Sequence, residues 1–272
     1  MISYYIHDTS LTKRYKFVNN FTTEPKIIEN KIKYLLDNNY KFINDKDISN
    51  NIISEDNKTV HISFDDGYKS NLEFINYVTY KYKIPVSLYI NVSFILNQKF
   101  PHEFILSNIF SSNSLPNSIN HFNIQNFDNL SACYNEICNY LKFLAPDARD
   151  NFMNNIKNVE HFTDYNIFLD KNDLLKISKN PYITIGSHSY NHVPLSIYSH
   201  KDYGVIFSEI SESKNILEDI INKEIISFSF PYGCYNDDII FALKSFGYKV
   251  SFTTNHLSEK FKNYIISRES IQ

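Results

Sequence analysis

Two adjacent aspartates, Asp65 and Asp66, occur in the stretch HISFDDGY, and two histidines four positions apart, His188 and His192, occur in GSHSYNH. Two imidazoles and one carboxylate around an open fourth position form the ligand set of a catalytic zinc centre. A metal-dependent hydrolase also needs an acid held off the metal, to take a proton from the attacking water. The adjacent aspartates suit such unequal roles, one as ligand and one free. Each motif has a plainer reading by itself: Asp-Asp-Gly makes a good tight turn, and an isolated HxxxH is commonly a pair of surface histidines. Their joint occurrence at strand ends favours the metal site.

Strands and helices must bring these residues together. Extended stretches at TVHISF (59–64), IPVSLYINV (84–92), YITIGSHS (182–189), IISFSFP (225–231), KVSFTT (249–254) and NYIISRESI (263–271) follow a short first strand near the N-terminus. Helical spacing alternates with them, at PKIIENKIKYLLDNNY (25–40), NLEFINYVTYKYK (71–83), LDKNDLLKIS (169–178), DYGVIFSEISESKNILEDII (202–221) and DDIIFALKSFG (237–247). Thr22 or Thr23, ahead of Pro25, can cap the first helix. Strand, helix and strand joined by short links indicate parallel βαβ units, whose ligand sites lie beyond the carboxyl ends of the strands. Both motifs occupy such ends. Between about 98 and 168 polar loops flank one helical stretch, NLSACYNEICNYLKFL (129–144), which reads as a mainly helical insertion or lid within a single domain spanning 1–272.

The chain has 272 residues, 43% of them hydrophobic, enough to bury a large core in one domain. A net charge of -3 carries no basic excess, so the expected partner is small or neutral and not a nucleic acid. Three cysteines, Cys133, Cys138 and Cys234, are too few and too uneven for a disulfide framework. No stretch approaches the roughly 20 apolar residues that span a bilayer, and the first residues lack a basic segment followed by an apolar run. A cytoplasmic protein without a transmembrane segment is the expectation.

SFDDGY, SHSYNH and FPYGCYN, in this order and each at a strand end, resemble the motifs of the polysaccharide deacetylases (NodB homology, carbohydrate esterase family 4). The resemblance extends over nearly the whole chain. It is closest to the branch associated with surface-polysaccharide synthesis, through the IIENKIKYLLDNNY helix, the IPVSLYI strand, SESKNILED, GYKVSFTT and a terminal arginine. It implies an α/β fold, a distorted (β/α) barrel of about six or seven parallel strands. It also implies Asp65 as general base and Asp66, His188 and His192 as ligands of a divalent metal, Zn2+ first. Pro231, Tyr232 and Gly233 would border the substrate, with the backbone N–H of Tyr232 holding the oxyanion. The implied substrate is an N-acetylated carbohydrate, whether free, nucleotide-linked, lipid-linked or polymeric. Tyr68, beside the aspartates, can stack on a sugar or simply pack in the core.

Two positions depart from the family pattern. Many members carry an arginine two residues before the motif proline, to tether the catalytic acid; here that position is Ser229. Arg268 is a candidate replacement, because a barrel brings its last strand beside its first; the alternative is a surface arginine. For the general acid, His7 after the first strand is preferred to His256, which lacks the context of the family's late histidine. His61 alternates with apolar strand positions and reads as a hydrogen-bonded core histidine. Two rival functions stay open: a catalytically degenerate carbohydrate-binding member, and a metal-dependent C–N hydrolase of a non-sugar amide.

Overall fold

The β-branched and aromatic runs of the sequence become short strands, and the 3.6-periodic stretches between them become the helices that cover the sheet. In chain order the computed structural model has β1 (Ile2–Ile6), α1 (Pro25–Asp37), β2 (Lys41–Phe42), α2 (Asp45–Ser49), β3 (Thr59–Phe64), α3 (Asn71–Tyr82), β4 (Val86–Ile90) and α4 (Val92–Asn97). There follow α5 (His102–Ser111), α6 (Leu130–Lys142), α7 (Pro146–Ile156), α8 (Lys171–Ile177), β5 (Ile183–Ser187), α9 (Tyr203–Ile206) and α10 (Ser213–Ile221). The chain ends with β6 (Ser227–Ser229), α11 (Asp237–Ser245), β7 (Val250–Thr253), β8 (Ile265–Ser267) and β9 (Glu269–Ser270). The structure describes residues 1–9, 17–18, 22–51, 58–97, 100–111, 129–156, 167–254 and 264–271.

Every strand pairing is parallel, in the order β8-β7-β6-β5-β4-β3-β1-β9, with β2 also on β3. β8 pairs with β7 and β9 pairs with β1, yet only Arg268 separates them in the chain. One extended segment therefore borders both ends of the strand order, and the sheet curls into the nearly closed, distorted barrel expected from the motifs. Parallel strands point their carboxyl ends the same way, so the residues after β1, β3, β5 and β6 gather at one rim.

Two compact units can be separated. One, Met1–Leu11, Thr22–Gln98 and Asn166–Gln272, contains the barrel. Its core joins Ile62 and Phe64 of β3, Leu88 and Ile90 of β4, Ile28 and Ile32 of α1, and Leu217 of α10. The other, Thr12–Phe21 and Lys99–Tyr165, has α5, α6 and α7 as its described elements, packed around Leu106, Phe110, Cys133, Ile137, Leu141 and Met153. Cys133, Cys138 and Cys234 are all unpaired thiols. Among the described residues no helix is long and apolar enough to cross a membrane.

The start of α1 differs from expectation. Its N-cap is Glu24, with no side-chain cap bond, and Pro25 opens the helix. Proline has no N–H to satisfy at that position, and the threonines are engaged elsewhere: Thr22 pairs with Asp8 in an isolated bridge, and Thr23 Oγ1 donates to the Ile271 carbonyl at 3.3 Å. The long helix expected at 202–221 forms, but with a π-helical segment, Phe207–Glu212, between α9 and α10.

The amino-terminal end of the barrel interior is polar. His61 is fully buried, with Nδ1 against Ser3 Oγ at 2.9 Å and Nε2 against Asp45 Oδ1 at 3.0 Å. Asp45 also accepts from the hydroxyls of Ser87 (2.6 Å), Tyr89 (3.2 Å) and Ser227. His61 is thus a hydrogen-bonded core histidine. Gly186 leaves the room Tyr89 needs, since a Cβ there would sit 2.5 Å from that ring.

Candidate active site

β3 delivers Asp65 and Asp66 to the carboxyl rim. Asp66 (φ 69°) and Gly67 (φ 85°) are consecutive left-handed residues, so the chain reverses sharply and the two carboxylates diverge. Glycine adopts this conformation freely; an aspartate gives up about 1 kcal/mol to do so. The turn is pinned from behind, with Leu169 N–H donating to the Gly67 carbonyl and Lys69 N–H to that of Ile167.

His188 follows β5, where its amide donates to the Ile90 carbonyl at 2.8 Å. Its Nδ1 lies 2.8 Å from the Ser229 carbonyl. A carbonyl can only accept, so Nδ1 carries the proton and Nε2 presents a lone pair. His192 arrives by a loop in which Ser189 (φ 63°) and His192 (φ 54°) are both left-handed; the four-residue spacing works through this turn and not through a helix. Of the eight non-glycine residues with positive φ among the described residues, four belong to this rim: Asp66, Ser189, His192 and Tyr232. Such strain collects where surrounding structure holds a functional geometry in place.

Asp66 Oδ1 lies 3.4 Å from His188 Nε2 and 3.3 Å from His192 Nε2. The three ligand atoms are within 4.8 Å of one another, and the buried Asp66 Oδ1 accepts no hydrogen bond of good geometry. One carboxylate oxygen and two imidazole nitrogens converging on one point fit a divalent ion of the Zn2+ type. Burial, the largest influence on His188, lowers its pKa to about 4 against the pull of Asp65 and Asp66, so the ring is neutral near pH 7 and able to ligate. Burial pushes the Asp66 carboxyl up, but the fields of His192 and His188 more than offset this and leave it ionised.

Asp65 is set apart from this cluster. Arg268 grips it with two parallel bonds, Nη1 to Oδ1 at 2.8 Å and Nη2 to Oδ2 at 2.7 Å, and both residues are 2% exposed. Nη1 also donates to Ser63 Oγ (2.8 Å) and Nη2 to Ser229 Oγ (2.6 Å). Ser229, where the family commonly has arginine, thus touches the guanidinium supplied from the junction of β8 and β9. Burial raises the Asp65 pKa, but the Arg268 charge and its paired hydrogen bonds outweigh it, so the carboxyl stays below its ordinary range.

His7 lies next to Asp65 at the rim, because β1 and β3 pair Ile6 with Phe64 and Asp65 N–H donates to the Ile6 carbonyl. The His7 carbonyl accepts from Asn71 Nδ2 at 2.6 Å, while Asn71 Oδ1 takes the Thr9 amide at 3.0 Å. His256, the other candidate acid, lies outside the described residues. Pro231 and Gly233 are buried in the turn after β6. Tyr232 between them is left-handed (φ 57°), its ring 4.7 Å from that of His192. Tyr68 is 3% exposed and packs on Phe168 at 5.0 Å, in a stack that continues through Phe94 to His192.

Sequence reasoning passed over the residues that hold the ligand turn. Asn91 Nδ2 donates to the carbonyls of His188 (3.0 Å) and Ser189 (3.3 Å). Glu209 accepts the amides of Tyr190 (3.1 Å) and Asn191 (2.9 Å). The available signal was a glutamate on the inward face of an amphipathic helix, which periodicity alone does not distinguish from an ordinary helical glutamate.

A family model described as polysaccharide deacetylase matches residues 122–251. That span includes both histidines and the turn after β6, while His7, the aspartate pair and Arg268 lie outside it. No curated protein matches the chain by sequence. Among solved structures, the Streptococcus pyogenes deacetylase PplD in complex with acetate aligns over 99% of this chain and 91% of its own, with TM-score 0.65 and 15% identity. A de-N-acetylase from Aggregatibacter actinomycetemcomitans aligns over 98% and 92%, with TM-score 0.62 and 18% identity. The Bacillus anthracis protein BA0330 aligns over 99% of this chain, which spans only 64% of that protein, with TM-score 0.62 and 16% identity. At these identities the likeness is one of fold.

Proposed function

We propose that the chain, whose residues 122–251 match a polysaccharide deacetylase model and whose fold is that of solved deacetylases, is a metal-dependent hydrolase that removes N-acetyl groups from an N-acetylated sugar or glycan. The role we assign it is in surface polysaccharide or glycolipid biosynthesis, following the ordered motifs of that branch. One observation carries the reading: Asp66, His188 and His192 converge on one point beside a second acid, Asp65, that Arg268 keeps ionised. A divalent ion held by those three, Zn2+ first, supplies Lewis acidity toward the acetamido carbonyl and the attacking water.

The chain's own groups do the rest. Asp65, anionic and fixed by a two-pronged clamp, takes a proton from the attacking water. The backbone N–H of Tyr232 donates to the oxygen on which negative charge develops, a contribution typically worth about 3 kcal/mol. His7, beside Asp65, gives a proton to the departing amine. Water thus adds across the amide C–N bond, releasing acetate and a free amino sugar. Pro231 and Gly233 shape the substrate edge of the site, and Tyr68, buried on Phe168, supports the turn that carries the acids.

The rival reading, a degenerate binding member, follows from Ser229 in place of an arginine; the clamp from Arg268 supports turnover against it. The test is acetate release by Zn2+-loaded protein from N-acetylhexosamine oligomers, nucleotide sugars, lipid-linked sugars and small N-acyl compounds, with Asp65→Asn as control. Release from a sugar substrate that chelator and Asp65→Asn both abolish is expected. Full activity in Asp65→Asn would remove it as the base, no release from any substrate would leave a binding protein, and release from small N-acyl compounds alone would leave a non-sugar amidohydrolase.

A further inference from the structure

The turn that carries both histidines is held on two sides. On one side its carbonyls are taken by donors following β4: Asn91 Nδ2, the Val92 amide on Ser189 (3.2 Å) and the Ser93 amide on Tyr190 (2.9 Å). On the other side its amides converge on a single carboxylate. Glu209 Oε2 accepts the successive N–H groups of Tyr190 and Asn191, and Oε1 accepts Asn191 Nδ2 at 2.9 Å. Glu209 is 0% exposed and, among the described residues, forms no ion pair. A carboxylate is costly to bury unless charge-assisted hydrogen bonds take over from water, and here they come from Tyr190 and Asn191, the two residues before His192.

Three local features make this contact specific. Tyr190 and Asn191 lie between the two left-handed residues of the loop, Ser189 and His192, so Glu209 grips the peptides on either side of Tyr190 while the His192 amide donates to Ser189 Oγ at 3.2 Å within the same turn. Glu209 lies within the π-helical segment Phe207–Glu212, a local rewinding often found near functional sites. The same segment reaches the two residues that flank His188 through two hydroxyls: Ser189 N–H donates to Ser187 Oγ (3.2 Å), which contacts Ser213 Oγ (2.9 Å), which donates to the Glu209 carbonyl (2.8 Å).

We propose that Glu209 is the positioning residue of the metal centre, its carboxylate holding the 189–192 turn in the conformation that aims His192 Nε2 at Asp66 and His188 Nε2. The inference rests on reading those three side chains as metal ligands. Its chemistry sets two variants apart. In Glu209→Gln the side-chain oxygen can still accept both amides, and its NH2 meets an Asn191 amide that can rotate to offer its own oxygen. In Glu209→Ala both backbone N–H groups lose their acceptor and His192 loses its fixed direction.

The experiment measures Zn2+ affinity of the whole protein by competition with a chromophoric chelator, with thermal unfolding of the metal-free forms alongside. Expected are Glu209→Gln within about threefold of wild type and Glu209→Ala weaker by roughly 10–100-fold, the range of groups that orient a ligand. If wild type takes up no Zn2+, the metal reading fails; if wild type binds and a folded Glu209→Ala binds within about threefold, that reading stands and the inference is overturned. Should Glu209→Ala not fold, amide exchange of the wild-type protein decides. Zn2+ is expected to slow exchange at Tyr190 and Asn191 together with the 207–213 segment, and protection confined to the ligand turn would overturn the proposal.

Discussion

Replacing Arg268 by methionine, which keeps most of the side-chain stem, would leave Asp65 buried beside Ser229 Oγ at 3.5 Å as its remaining hydrogen-bond donor. Both partners are 2% exposed and joined at 2.7 and 2.8 Å, so water screens the pair little. Charge centres about 4 Å apart at an effective dielectric near 20 interact by about 4 kcal/mol, which favours the ionised form of Asp65. Removing one member of a buried pair typically costs 3–5 kcal/mol of stability, about the same size. Two outcomes are expected for Arg268→Met: a loss of about 4 kcal/mol in urea unfolding of the metal-free protein, and an acid limb of the acetate-release pH profile that moves toward neutrality. Arg268→Lys keeps the charge but not the planar fork, and both effects should be smaller. Stability within about 1 kcal/mol of wild type and an unmoved acid limb in Arg268→Met would show that the clamp neither stabilises the fold nor keeps Asp65 ionised.

Protonation of His188 gives a pH test. Its folded pKa of about 4 lies below its ordinary 6.5, so the unfolded chain binds the extra proton and stability falls as pH drops between those values, by about 2 kcal/mol from pH 7 to 5. Urea unfolding of the metal-free protein measures this, and a flat profile would contradict a buried neutral His188; the lowered Asp65 and Asp66 add their own losses only at more acidic pH. Asp66→Asn should weaken Zn2+ binding by more than the roughly 10–100-fold of an indirect change, and unchanged affinity in chelator competition would remove Asp66 from the centre. His7→Gln should keep Zn2+ affinity while acetate release falls about 10²–10⁴-fold; equal losses in both would make His7 a structural residue. Asp45→Ala, which removes the acceptor shared by His61 and the hydroxyls of Ser87, Tyr89 and Ser227 at the opposite end of the barrel, should cost about 1–3 kcal/mol yet leave Zn2+ affinity unchanged.

Much of the site was legible because its components are local. Alternation in TVHISF and the turn chemistry of Asp-Asp-Gly put a strand and a sharp reversal where β3 ends, and the HxxxH pair became a candidate for metal binding once the aspartates were set beside it. Residues close together in the chain were enough to mark the candidate ligands, their strand-end positions and the alternation that builds a parallel barrel. Only the tertiary structure decided how those residues are aimed. Arg268 meets Asp65 across 203 positions because the last extended segment bridges β7 and β1; Glu209 meets the histidine turn because a π-helical segment packs behind it; and His192 points inward through left-handed backbone that no side-chain pattern encodes. Periodicity records which face of an element is buried, whereas the direction of a carboxylate or an imidazole depends on hydrogen-bond partners that exist only once the barrel has closed.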